Sequence, residues 1–110
     1  MADEPLAQIG NFLHVYDFRV KPGTGDEFIR RFEEFDHSGQ NPMHASPAQV
    51  RDGVLCRDEK DGDHFYLIGE WSDKGVHRAL LEQIKGGPRQ AFMELIEGDT
   101  FIPVYADVVA

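Results

Sequence analysis

The sequence predicts one α+β domain with the order β-α-β-β-α-β, in which an antiparallel sheet carries two helices on one face. Three observations predict it. Runs rich in aromatic and β-branched residues recur at 12–20, 49–58, 64–71 and 100–109, bounded by Gly, Pro and Asp clusters. Apolar residues at helical spacing fill the intervals after the first and third of these runs. With 110 residues, 41% apolar and 28% charged, the chain is the size of one globular unit that hides roughly two-thirds of its unfolded surface.

Residues 1–11 lack periodicity and read as a flexible arm; 12–110 form the domain. Within "FLHVYDFRV" (12–20), Phe12, His14, Tyr16 and Phe18 share one face, and Leu13, Val15, Asp17 and Arg19 the other. Pro22-Gly23 turns the chain. Thr24 and Glu27 match a capping box for a helix over 25–36, striped by Phe28, Phe32 and Phe35. The stretch 36–47, with Pro, Gly and two histidines, is long enough to be a lid or pocket edge. "QVRDGVLCRD" (49–58) is the second strand. Asp61-Gly62 signals a type I′ hairpin into the third, 64–71. Ser72 is placed to cap a second helix with Val76, Ala79, Leu80 and Ile84 as its apolar stripe. Gly86-Gly87 breaks it, and Pro88 starts a continuation bearing Ala91, Phe92, Leu95 and Ile96 that ends at Gly98. Pro103 makes the last run an edge strand. The order is that of the ferredoxin-like split βαβ fold.

Charge and cysteine content narrow the function classes. Twenty acids against 11 bases give a net charge of −9, a field that repels phosphate backbones and anionic lipid, so neither nucleic acid nor a membrane is an expected partner. The single cysteine, Cys56, excludes an internal disulfide and multi-cysteine metal sites and is expected to be buried and inert. "MADEPLAQIG" has no apolar run of signal-peptide length, so a cytoplasmic protein is expected.

The segments "FRVKPGTGDEFIRRF" and "HFYLIGEWSDKGVHRAL", in this order and spacing, resemble the antibiotic biosynthesis monooxygenase family of dimeric α+β barrels. The likeness spans roughly residues 12–109. It implies a homodimer whose sheets face each other, and a pocket between sheet and helices in each subunit. A helix-free sheet face carrying Leu13, Val15, Tyr66 and Ile68 independently asks for a cover, for which a second copy is the usual solution. Haem-degrading members of the family carry an asparagine on the first strand and a histidine on the second helix. Tyr16 and Leu81 stand there in this chain, so haem is kept only as a minor option.

His14 and Tyr16, two apart on one strand face, either pack in the core or bring two polar groups into a phenylalanine-lined pocket. A neutral histidine there could take a proton from a phenol, and phenolates pass electrons to O₂ without a metal. Trp71 is a core residue, a stacking wall for an aromatic ligand, or both. His37, His44 and His77 show no metal-ligand spacing and no placed acidic partner, and read as surface histidines that could meet at the pocket mouth. Arg89 is either exposed or a partner for a carboxylate or enolate. The expected activity is a monooxygenation without metal or organic cofactor, on a small phenolic, quinol or polyketide-type aromatic. His14 and Tyr16 are the catalytic candidates; Trp71, Phe32, His77 and Arg89 are the substrate-binding ones. The alternative is a non-catalytic small-molecule binding or stress-response module on the same fold.

Overall fold

A computed structural model describes residues 3–85, 87 and 89–110. Along it run β1 (Phe12–Arg19), α1 (Gly25–Asp36), a 3-10 turn (Pro42–Ala45), β2 (Gln49–Arg57), β3 (His64–Trp71), α2 (Lys74–Ile84), α3 (Gln90–Met93) and β4 (Pro103–Asp107). The strands form one antiparallel sheet in the order β2-β3-β1-β4, the expected α+β topology. β4 lies at an edge, where Pro103 is tolerated. The expected helix break at Gly86 and helix start at Pro88 lie outside the described residues. Among those described, α3 covers only Gln90–Met93, and Leu95 and Ile96 are buried beyond its end.

β1 alternates as its sequence requires: Phe12, His14, Tyr16 and Phe18 are buried, while Asp17 and Arg19 are exposed. Phe18 meets Phe28 of α1 at 5.3 Å between ring centroids, and Phe28 meets Phe65 of β3 at 5.2 Å. Phe92 closes this group edge-on at 5.8 Å from Phe28. Such tilted and T-shaped pairs add about 0.5–1.5 kcal/mol each beyond the area they bury.

Both helix starts differ from expectation. Thr24 makes no capping bond; its hydroxyl donates to the Lys21 carbonyl at 2.6 Å. Asp63, from the β2–β3 connection, caps α1 instead, accepting the N–H groups of Gly25 (2.9 Å) and Gly23 (3.0 Å). Glu27 is drawn off by Arg30 and Arg31. Asp73, not Ser72, caps α2 by accepting the Val76 N–H at 3.0 Å; Ser72 donates to the Ala48 carbonyl. The buried residues of this helix are His77 and Ile84, while Val76 and Ala79 of the expected stripe are exposed. The hairpin is not type I′, because Gly62 lacks the positive φ that turn needs. Asp58 folds the wider loop by accepting the N–H groups of Lys60 and Asp61. Cys56 is exposed rather than buried, because it faces outward on the edge strand β2.

On the helix-free face, register aligns Val54 with Ile68, Ile68 with Val15, and Val15 with Val104, a β-branched row across all four strands. Val54 and Val104 at its ends are 58% and 62% exposed. The segment before β1 covers one end of this face. There Gln8 N–H (2.9 Å) and Asn11 Nδ2 (2.8 Å) donate to the buried Glu70 carboxylate, and Arg51 donates to the Leu6 carbonyl. Burial works to raise the Glu70 pKa, but these donors together with Arg51 hold it below the usual carboxylate value. No helix among the described residues is long and apolar enough to cross a membrane.

Candidate functional site

A cavity of about 80 Å³ lies between the helix-facing side of the sheet and the helices. β1 contributes His14 and Tyr16, β3 Leu67 and Trp71, α1 Phe32 and Phe35, and α2 His77, Leu81 and Ile84; Arg89 enters just before α3. All six residues singled out in the sequence therefore line one cavity. Its walls are mostly apolar, with a few polar groups turned inward, the usual makeup of a small-molecule site.

His14 reaches its place because β3 and β2 both carry glycine where it passes. A Cβ on Gly69 would stand 2.5 Å from His14 Nε2, and 3.1 Å from Gly53 Cα. His14 stacks on His77 with ring centroids 5.0 Å apart and planes 20° from parallel, and Tyr16 meets His14 edge-on at 5.4 Å. His77 is 2% exposed, the reverse of the surface position expected for it. Trp71 presses edge-on against its ring at 4.7 Å, and its Nδ1 lies 2.6 Å from the Tyr105 hydroxyl.

Burial governs the electrostatics. It lowers the pKa of His14 to about 4, with the adjacent His77 adding to the shift. Burial, then Arg78, lowers His77 likewise to about 4. Both rings are neutral at pH 7. Burial also raises the Tyr16 phenol, with Tyr105 adding to this and Arg89 opposing it, so Tyr16 keeps its proton.

Three residues that line this cavity carry a buried nitrogen with no hydrogen-bond partner among the described residues: His14 Nδ1, Trp71 Nε1 and Arg89 Nε. Leaving a buried polar group unpaired costs roughly 1–3 kcal/mol, so three in one place mark a site built for something else. The other orphan among the described residues, Glu70 Oε1, is on the opposite sheet face, 3.7 Å from Arg51 Nε.

The 36–47 stretch contributes Asp36, Asn41 and Met43 to the cavity lining. His44 is not without acidic partners, as its spacing suggested: Nε2 lies 2.9 Å from Asp36 and Nδ1 3.4 Å from Asp52. Burial works against its charge, but the two carboxylates outweigh this and raise its pKa. The ring ties the loop to the end of α1 and to β2. His37 is exposed and takes no part in the cavity. Sequence reasoning missed Tyr105 altogether. Its signal was the β4 register, which sets Tyr105 directly opposite His14.

No family model and no curated protein sequence matches the chain. Solved structures do. The oxygenase SnoaB from Streptomyces nogalater, described as cofactor-independent, is 22% identical with a TM-score of 0.65, over 92% of this chain and 93% of that one. A structure named antibiotic biosynthesis monooxygenase is 19% identical at TM-score 0.65, over 90% and 99%. PA3566 from Pseudomonas aeruginosa is 15% identical at TM-score 0.65, over 92% and 96%.

Proposed function

Starting from a chain that carries the antibiotic biosynthesis monooxygenase fold, we propose a monooxygenation of a small phenolic, quinol or polyketide-type aromatic, without metal or organic cofactor. The observation that carries this reading is that three residues lining one mostly apolar cavity each carry an unpaired buried nitrogen. An aromatic ring with an oxygen substituent answers both features. The ring lies against Phe32 and Trp71, and the oxygen accepts from Trp71 Nε1 and Arg89 Nε. The cavity holds on the order of half a dozen waters, the bulk of one or two rings.

The chemistry needs a phenolate. His14, neutral at pH 7 and with Nδ1 unpaired, takes the phenolic proton. Its burial makes it a weak base, and the transfer is driven by the guanidinium of Arg89 and by the ion pair it creates in a water-poor site. The phenolate then passes electrons to O₂, and oxygen bonds to a ring carbon. One oxygen atom becomes a carbonyl and the other leaves as water: phenol and O₂ give quinone and H₂O. The substrate supplies all four electrons. Tyr16, which keeps its proton, donates to the developing oxygen anion. The exposed β-branched row of the sheet is covered, on this reading, by a second copy of the chain.

Oxygen uptake on a panel of quinols and phenols, with chelator present, tests the activity. Consumption of one O₂ per substrate, lost or reduced at least ~100-fold in His14→Ala, is expected. No uptake on any substrate would sink the oxygenase reading. Because Trp71 is the only tryptophan, its fluorescence reports binding directly. Quenching without uptake would favour the non-catalytic binding module.

A further inference from the structure

The cavity holds two stacked neutral imidazoles, and proton transfer from a phenol uses one. His77 differs from His14 in having one nitrogen engaged: Nδ1 lies 2.6 Å from Tyr105 Oη, and no protein partner meets Nε2 among the described residues. Tyr105 is held for this contact. Its ring lies 4.9 Å from Phe12 and carries the Arg78 guanidinium at 4.8 Å, while Trp71 and Phe12 fix the imidazole edge-on. In so short a bond only one group donates. A phenol is the stronger donor, and the bare nitrogen of a neutral imidazole the stronger acceptor. Burial raises the Tyr105 phenol, so its proton is present at pH 7.

We propose that Tyr105 is a positioning residue that locks His77 with its proton on Nε2, making His77 the donor of the stacked histidine pair and leaving His14 as its acceptor. The ligand half of this rests on the reading given above, that a phenolic oxygen occupies the cavity. The phenolic proton moves from the ligand oxygen to His14 Nδ1, and the oxygen anion accepts from His77 Nε2–H. Stacking at 5.0 Å enforces the division, since two imidazolium charges at that distance repel strongly in a buried site. Sequence spacing gives the rings no distinct roles; the hydroxyl on β4 does.

The test has two arms. Histidine side-chain ¹⁵N NMR at pH 7 reads the tautomer without a substrate. The wild type is expected to carry the His77 proton on Nε2, and Tyr105→Phe, which keeps the ring, to show a mixture. A wild-type His77 protonated on Nδ1, or a Tyr105→Phe tautomer unchanged from wild type, overturns the proposal. The second arm follows 4-nitrophenol binding by Trp71 fluorescence. Tyr105→Phe and His77→Leu are expected to weaken it about tenfold, the worth of one buried hydrogen bond, while His77→Gln, whose amide N–H reaches the Nε2 position, stays within about threefold. Equal affinity in all four proteins overturns the donor role. If 4-nitrophenol does not bind the wild type, the ligand half falls with the function reading, and the NMR arm alone judges the lock.

Discussion

Replacing Gly69 with alanine adds one methyl group in the middle of β3, a change that exposed strands accept without cost. Here the new Cβ would lie 2.5 Å from His14 Nε2, whereas ordinary contact begins at 3.4 Å. The imidazole must give way by about 0.9 Å. It cannot retreat freely, because His77 stacks on one face and Tyr16 lies against its edge. Overpacking of this kind costs about 1–3 kcal/mol, or a fall in Tm of roughly 5–20 °C for a domain of this size. Gly53→Ala is the internal control: its Cβ would find neighbours no nearer than 3.5 Å, so a change under about 0.5 kcal/mol is expected. Urea unfolding of Gly69→Ala, His14→Ala and the double variant then isolates the contact. The penalty of Gly69→Ala should fall in the His14→Ala background by a coupling of at least ~1 kcal/mol, leaving the part owed to Gly53 Cα, 3.1 Å from the new Cβ. An equal Gly69→Ala penalty in both backgrounds would refute the argument that this glycine exists to seat His14.

Two further predictions concern pH and assembly. His14 and His77 titrate near 6.5 in the unfolded chain and at about 4 in the folded one, so the unfolded state binds more protons between these values. Stability is therefore full above pH 6.5 and falls as the pH drops towards 4, by on the order of 3 kcal/mol per ring. Urea unfolding at pH 7, 5.5 and 4 checks this; a His14→Phe/His77→Phe variant with the same pH slope as wild type would contradict it. The proposed dimer should sediment at twice the 12.5 kDa chain mass at micromolar concentration, and Val15→Lys, at the centre of the β-branched row, should give monomer. A wild-type monomer would remove the dimer from the functional reading.

The sheet was legible because strand alternation is a local property: Phe12, His14, Tyr16 and Phe18 announce their shared face without any knowledge of partners. Trp71 and Phe32 follow from the same parity and helical spacing. The errors fall where distant residues intervene. Thr24 had the right spacing to cap α1, yet a carboxylate 38 positions away from Gly25 does so. His77 lay off the expected Val76, Ala79, Leu80 and Ile84 stripe, and its burial rests on contacts with Trp71, His14 and Tyr105 from three separate strands. Tyr105 depended on the register between β1 and β4: its pairing with His14, from the far end of the sequence, is set by tertiary contacts that no local pattern encodes.

The cap supplied by Asp63 also ties the first helix to the hairpin between the second and third strands. An isolated twelve-residue helix is marginal in water, and α1 begins with no side-chain cap of its own. The N–H of Gly25, first in the helix, finds its side-chain acceptor in Asp63 of the β2–β3 connection. Gly25 allows that approach, since any side chain there would run into the Gly62 carbonyl. The helix that roofs the cavity with Phe32 and Phe35 thus takes its cap from the β2–β3 connection, so a change at Asp63 would reach the cavity without touching its lining.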